Sequence, residues 1–182
     1  MAPSPSPTPS QTVGPFFAFA LLGTVGGELV PPNTPGAIRI EGTVTDGAGD
    51  PVPDAMVELW QANAEGRYLD AADGRGFTGL GRSGTEDDGR FSFLTVKPGA
   101  VRGADGVPQA PHVDVFVFAR GLLKHLVTRM YFPDEADVNA ADPLLSSLDP
   151  ADAATLVAVP AGDTLRFDIR LQGDGQTVFL VV

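Results

Sequence analysis

The chain has 182 residues, with 12 Lys or Arg against 23 Asp or Glu, which gives a formal net charge of −11. This acidic balance argues against nucleic acid and anionic membrane as partners, although a local arginine still suits an anionic small substrate. No cysteine is present, so disulfides and thiolate chemistry are excluded. The 22 glycines and 17 prolines favour many turns between short strands.

Residues 1–36 are predicted to form an N-terminal arm and loop ahead of the domain. Residues 1–11 are rich in Pro, Ser and Thr and indicate a low-complexity, extended start. The apolar run from Phe16 to Leu22 is too short for a membrane span or a signal peptide, and no basic residue precedes it. A cytoplasmic location is therefore expected, and the apolar run indicates a buried interface.

Residues 37–182 are predicted to form one all-β domain, an antiparallel β-sandwich of about 7–8 strands with long loops. Apolar and polar residues alternate over 37–46 and 164–172, a period typical of half-buried strands. Residues 177–182 complete the predicted strands, and one short helix is expected over 149–157. Residues 42–60 read as a strand, a tight turn and a second strand. The same pattern occurs in β-sandwich scaffolds that have no catalytic activity, so it predicts only the fold.

Two tyrosines and two histidines are the candidates for a metal site of those residue types. His112 opens a predicted strand and Asp114 follows two residues later, so both side chains point to one face of that strand. Tyr68 lies in a polar loop just after a strand. Tyr131 and His125 lie in another predicted strand, where packing or a structural role is the simpler interpretation. One tyrosine and one histidine do not make an iron site by themselves.

Four segments of the sequence carry a resemblance to a known enzyme family. They are residues 60–68, 77–100, 110–121 and 126–132. In this order they resemble the intradiol ring-cleaving dioxygenases, whose non-haem ferric iron is held by two tyrosines and two histidines. The resemblance places one tyrosine ligand on Tyr68 and one histidine ligand on His112. The other two positions fall on Val101 and Asp114, so half of the implied ligand set is missing.

One branch of this family consists of two homologous chains, alpha and beta, of which beta holds the iron, and the present sequence resembles alpha. The resemblance implies a hetero-oligomer with a beta subunit, Fe3+ in that partner, no metal in this chain, and cleavage of the aromatic substrate protocatechuate by O2. It also implies that Thr12, Gly14 and Pro15 of the arm, together with Arg129, line the substrate pocket at the alpha–beta contact. A Gly-Pro turn suits this role because backbone with little side chain can approach a flat ring closely.

Two alternatives remain open from the sequence. In the first, Tyr68, His112 and Asp114 bind iron themselves, since carboxylates do ligate non-haem iron, and the chain is a self-sufficient dioxygenase. In the second, the chain is a β-sandwich binding module without enzymatic activity. If the chain is an alpha subunit, Tyr68 and His112 are remnants retained for packing or hydrogen bonding. Arg129 is expected to meet a carboxylate, either on the substrate or on Asp114 or Asp168.

Overall fold

The computed structural model describes residues 8–14, 17–23, 25–68 and 77–181. Pro15, one of the predicted pocket residues, lies outside these ranges. No helix within them has the length and apolar character needed to cross a membrane.

The fold consists mainly of short strands, and the helical segments are brief. The strands are β1 (Ala37–Thr45), β2 (Met56–Trp60), β3 (Leu80–Gly84), β4 (Arg90–Val96), β5 (Val101–Arg102), β6 (Pro108–Gln109), β7 (His112–Phe118), β8 (Leu126–Tyr131), β9 (Val159–Ala161), β10 (Thr164–Arg166) and β11 (Ile169–Arg170). The helical segments are a π-helical turn (Ala18–Leu22), 3₁₀ turns (Pro133–Glu135 and Leu145–Ser147), α1 (Ala136–Ala140) and α2 (Pro150–Ala154).

Two sheets pack against each other. In the first, β1 pairs with β4 on one edge and with β10 and β11 along the other, and β9 pairs with β10. The second has the order β3-β2-β7-β8 and is antiparallel throughout. A small hairpin of β5 and β6 precedes β7. The predicted all-β sandwich is confirmed.

Side chains from both sheets meet in one apolar core. Ile40 and Phe93 enter it from the first sheet, and Val113, Val115 and Val117 enter it from β7 in the second. Burial of each such side chain contributes about 1.5–3 kcal/mol to folding. The predicted alternation along β7 is therefore present, and its opposite face carries His112 and Asp114 at one end and two phenylalanines at the other.

The C-terminal strands differ from the prediction. The strand expected over 164–172 is divided into β10 and β11 at Phe167 and Asp168, although the Phe167 N–H still donates to Glu41 O of β1 at 2.8 Å. A Cβ at Gly42 would collide with the Phe167 carbonyl oxygen, so the close approach of Phe167 to β1 depends on glycine at that position. β10 and β11 also run parallel to β1, whereas antiparallel pairing was predicted throughout.

Two further segments depart from the expected secondary structure. Residues 177–181 form no regular strand, although the Leu180 N–H donates to Val127 O at 2.7 Å. The helix expected over 149–157 is observed as the shorter α2, and α1 was not predicted.

Candidate functional site

The loop that follows β2 places Tyr68. Asn63 Oδ1 accepts the N–H groups of Glu65 and Arg67 at 3.1 and 2.9 Å, which folds the loop on itself. Gly66 has a φ of +72°, and a Cβ there would collide with the Ala100 carbonyl oxygen. This close contact holds the loop against the turn that precedes β5, so Tyr68 is positioned by backbone packing.

Tyr68 forms an aromatic pair at the surface with Trp60, the last residue of β2. Their ring centroids are 4.9 Å apart, and the side chains are 40% and 42% exposed. Trp60 lies opposite Asp114 in the β2–β7 register. The pair therefore lies at the outer edge of a polar cluster centred on Asp114, which also includes His112 and Arg129.

His112 is buried at the start of β7 with one nitrogen satisfied. Its Nδ1 lies 2.7 Å from Ala110 O, and because a carbonyl oxygen only accepts, Nδ1 carries the proton. Nε2 therefore presents a lone pair, and among the residues that the structure describes it has no hydrogen-bond partner. Burial, followed by the positive charge of Arg129, lowers the pKa of His112. The imidazole is held neutral.

Asp114 is the centre of the cluster. Its Oδ1 accepts Arg129 Nε at 2.8 Å, its Oδ2 accepts the Tyr68 hydroxyl at 3.2 Å, and Oδ1 lies 3.9 Å from His112 Nε2. The β7–β8 register sets Arg129 directly opposite Asp114, and Arg129 Nη1 also donates to Gln109 Oε1 at 3.2 Å. The structure thus brings together Tyr68, His112 and Asp114, with the Arg129 guanidinium among them.

The electrostatics of the cluster keep Tyr68 neutral and Arg129 charged. Burial, and then the adjacent Asp114 carboxylate, raise the pKa of Tyr68. Burial is the largest influence on the pKa of Arg129 and would lower it, but the interactions with Asp114 and Tyr131 together outweigh burial and the pKa is raised. Arg129 and Asp114 form an ion pair with side chains 21% and 17% exposed.

A buried carboxylate that the sequence analysis missed supports this cluster. Asp142 accepts the Tyr131 hydroxyl at 3.0 Å and the Ala110 N–H at 2.9 Å. It also accepts the N–H groups of Leu144 and Leu145 at 2.9 and 3.2 Å. Its Asp-Pro sequence is a turn signal that would have marked it as a cap. Through Ala110, Asp142 fixes the backbone that orients His112.

The other tyrosine adjoins this cluster, with its ring centroid 5.7 Å from that of His112, whereas the other histidine lies apart from it. Tyr131 is fully buried with its hydroxyl on Asp142, as a packed aromatic with a local bond was predicted to be. His125 is exposed beside Phe116 and Phe118, at ring distances of 5.7 and 5.1 Å. It lies near the opposite end of β7 from His112.

The N-terminal arm contacts that same far end of β7. Thr12 Oγ1 accepts the N–H of Gly121, three residues beyond β7, at 2.9 Å. Gly14 lines a groove of about 510 Å³ whose other wall includes Ala55 and Thr85. Seven strand residues span about 20 Å, so Thr12 and Gly14 do not meet Arg129 within this chain.

A ferric ion does not fit the donors of the cluster. Val101, on β5 opposite Gln109, brings an isopropyl group where the family resemblance places a tyrosine. The Arg129 guanidinium already neutralises Asp114, and the Tyr68 phenol is held protonated. Within the described ranges, no three His, Asp or Glu side chains are grouped to hold a metal ion.

Comparisons with known proteins agree with this fold and sequence order. Residues 31–173 match a family model described as Dioxygenase. The chain is 43% identical to the protocatechuate 3,4-dioxygenase alpha chain of Pseudomonas putida over 94% of both sequences. It is 36% identical to the beta chain of the Burkholderia cepacia enzyme, over 77% of this chain and 66% of that one.

A solved structure gives the same result. The dioxygenase domain of a dioxygenase and carbohydrate-binding protein fusion from Streptomyces sp. SirexAA-E superposes with a TM-score of 0.63 at 31% identity. The match covers 92% of this chain and 99% of that one. The chain therefore belongs to the intradiol dioxygenase family.

Proposed function

We propose that this chain is the alpha subunit of a protocatechuate 3,4-dioxygenase and works with a homologous beta subunit that holds the ferric iron. The assembly cleaves 3,4-dihydroxybenzoate with O2 to 3-carboxy-cis,cis-muconate, a reaction of aromatic catabolism in the cytoplasm, and this chain alone is inactive. The observation that carries the proposal is the 43% identity to an alpha chain over 94% of both sequences. The misfit between ferric iron and the Asp114 cluster supports it, because that misfit disfavours a self-sufficient enzyme.

The N-terminal arm is the part of this chain that we assign to the partner's pocket. Thr12, Gly14 and Pro15 form the proposed contact with substrate in trans. Thr12 anchors the arm to the turn after β7, and around Gly14 a Cβ would meet no atom within 4 Å. The open space beside Gly14 supports the close approach of another molecule to this backbone.

Arg129 is the second proposed pocket residue, with a role in attracting the substrate carboxylate. Its guanidinium already bonds Asp114 and Gln109, and it lies at the other end of β7 from the arm. This separation along β7 favours different pockets of the assembly for Arg129 and for the arm.

The experiment that tests the assignment compares arm deletions in the presence of the cognate beta chain. Deleting residues 1–17 is expected to weaken assembly and to reduce turnover of 3,4-dihydroxybenzoate at least tenfold. Deleting residues 1–7 is the control and is expected to preserve both, because Thr12 and Gly14 remain. Assembly is measured by analytical ultracentrifugation and turnover by oxygen consumption.

Iron analysis separates the proposal from the self-sufficient alternative. The chain purified alone is expected to be colourless and free of iron, whereas the complex shows the visible band of tyrosinate-bound ferric iron. Stoichiometric iron in the isolated chain, or unchanged turnover after deletion of residues 1–17, contradicts the proposal.

A further inference from the structure

Three potential metal donors of this chain face a fixed cation. The Tyr68 hydroxyl and the Arg129 Nε both bond to the Asp114 carboxylate, and His112 Nε2 lies 3.9 Å from it. Phenol, carboxylate and imidazole are donors that transition metals accept, yet the positive charge beside them belongs to an arginine. Arg129 therefore supplies the positive charge that a metal ion would supply among these donors.

In this arrangement the Nε2 lone pair of His112 has no hydrogen-bond partner among the described residues. The His112 side chain is 1% exposed, and Nδ1 donates to Ala110 O. Buried polar atoms are seldom left without a partner. The lone pair on Nε2 points to a proton donor or a cation that the present side chains do not supply.

The charge balance explains why a metal ion is kept out. The charges of the paired Asp114 and Arg129 sum to zero, so an added divalent cation would meet the Arg129 charge without net attraction. Without Arg129, the same donors would carry a net charge of −1 in a partly buried site. Two ligands at ~2.1 Å from one metal ion lie ~3.0–3.5 Å apart, so a small rotation of Asp114 or His112 would suffice.

We propose that the Arg129 guanidinium is a built-in cation that occupies the role of a metal and closes a latent divalent-metal site made of His112, Asp114 and Tyr68. Removing its charge opens this site to a borderline cation such as Zn2+ or Co2+, which imidazole and carboxylate ligands suit. This inference concerns the isolated chain and does not depend on the beta subunit. Its failure therefore leaves the subunit assignment intact.

The test measures Co2+ binding to the purified full chain, by visible absorption and by calorimetry. Arg129→Met is expected to bind one Co2+ at least 100-fold more tightly than the wild-type chain. Arg129→Lys keeps the charge and is the matched control, expected to bind no better than wild type. Arg129→Met combined with His112→Asn is expected to lose the gained site.

Arg129→Gln is the second variant, because its amide can still donate to Asp114 and preserve the fold. For either variant Co2+ is expected to raise the melting temperature, since a ligand of the native state stabilises it by mass action. A variant that unfolds without metal is expected to refold with it. Failure of both uncharged variants to bind Co2+, or equal binding by Arg129→Lys, overturns the proposal.

Discussion

The two ends of β7 differ in whether their side chains are paired within the chain or exposed to water. At the His112 end, charged groups are paired within the chain, as Arg129 is with Asp114 and Tyr131 is with Asp142. At the far end, the arm lies between two grooves of about 510 and 560 Å³, and Leu123 is 63% exposed. One end pairs its charged groups within a single copy, and the other leaves apolar surface in water.

This difference distinguishes residues expected to stabilise the fold of the chain from residues expected to contact a partner. Buried polar groups cost stability when they lose their partners, so changes at the His112 end are expected to affect folding. Exposed apolar groups contribute little to folding but much to association. Changes at the arm end are therefore expected to affect assembly.

The largest effect is expected for Asp142→Ala at the His112 end. The substitution leaves the Tyr131 hydroxyl and three N–H groups without their buried acceptor. We expect a loss of about 3–4 kcal/mol in the free energy of unfolding, measured by urea denaturation. Asp174→Ala, at an exposed turn, is the control and should change stability by less than about 0.5 kcal/mol. Equal effects of the two would mean that the contacts of Asp142 do not stabilise the His112 end of β7.

A smaller effect is expected for Leu123→Ser at the arm end. Stability of the isolated chain should change by less than about 0.5 kcal/mol, because the side chain is already exposed. Affinity for the beta subunit should fall about tenfold, equivalent to about 1.4 kcal/mol, measured by surface plasmon resonance. Val159→Ser is the matched control, since Val159 is 62% exposed on β9, away from the arm. Equal losses of affinity in both variants would mean that the partner does not distinguish these surfaces.

The smallest effect is expected from pH and concerns both tyrosines. Burial raises the pKa of Tyr68 and of Tyr131, so both phenols stay protonated in the folded chain when free tyrosine ionises at about pH 10. The unfolded state then releases these protons first, so the contribution of the two tyrosines to stability is full below about pH 10 and declines above it. Spectrophotometric titration should show tyrosinate appearing together with loss of structure. A tyrosinate signal at pH 10 in the folded protein would contradict this, and Tyr68→Phe would identify the residue responsible.

Part of the candidate site could be predicted because strand geometry is local. Residues 112 and 114 share a face in any strand, and a glycine-bearing loop after β2 is a natural place for an exposed tyrosine. The structure does bring Tyr68, His112 and Asp114 together. The alternation of valines along β7 likewise identified the core face without knowledge of the neighbouring strands.

The remaining features depend on contacts between distant segments. Asp114 rather than Asp168 is the partner of Arg129 because of the β7–β8 register, and Asp168 bonds Arg166 and the Thr43 N–H instead. A one-residue change of register would reverse the faces, and the local pattern does not determine it. Asp142 reaches the site from a loop between α1 and α2. The close approach of Phe167 to β1 requires glycine at position 42, and no local propensity predicts that contact.

The cross-strand pairing of Asp114 with Arg129 also constrains how the sequence can change over time. Replacing Asp114 by histidine would leave a partly buried guanidinium without its counter-ion, and replacing Arg129 would leave the carboxylate unpaired. A single replacement at either position is therefore expected to lower the stability of the chain. Residues 114 and 129 are accordingly expected to change together rather than one at a time.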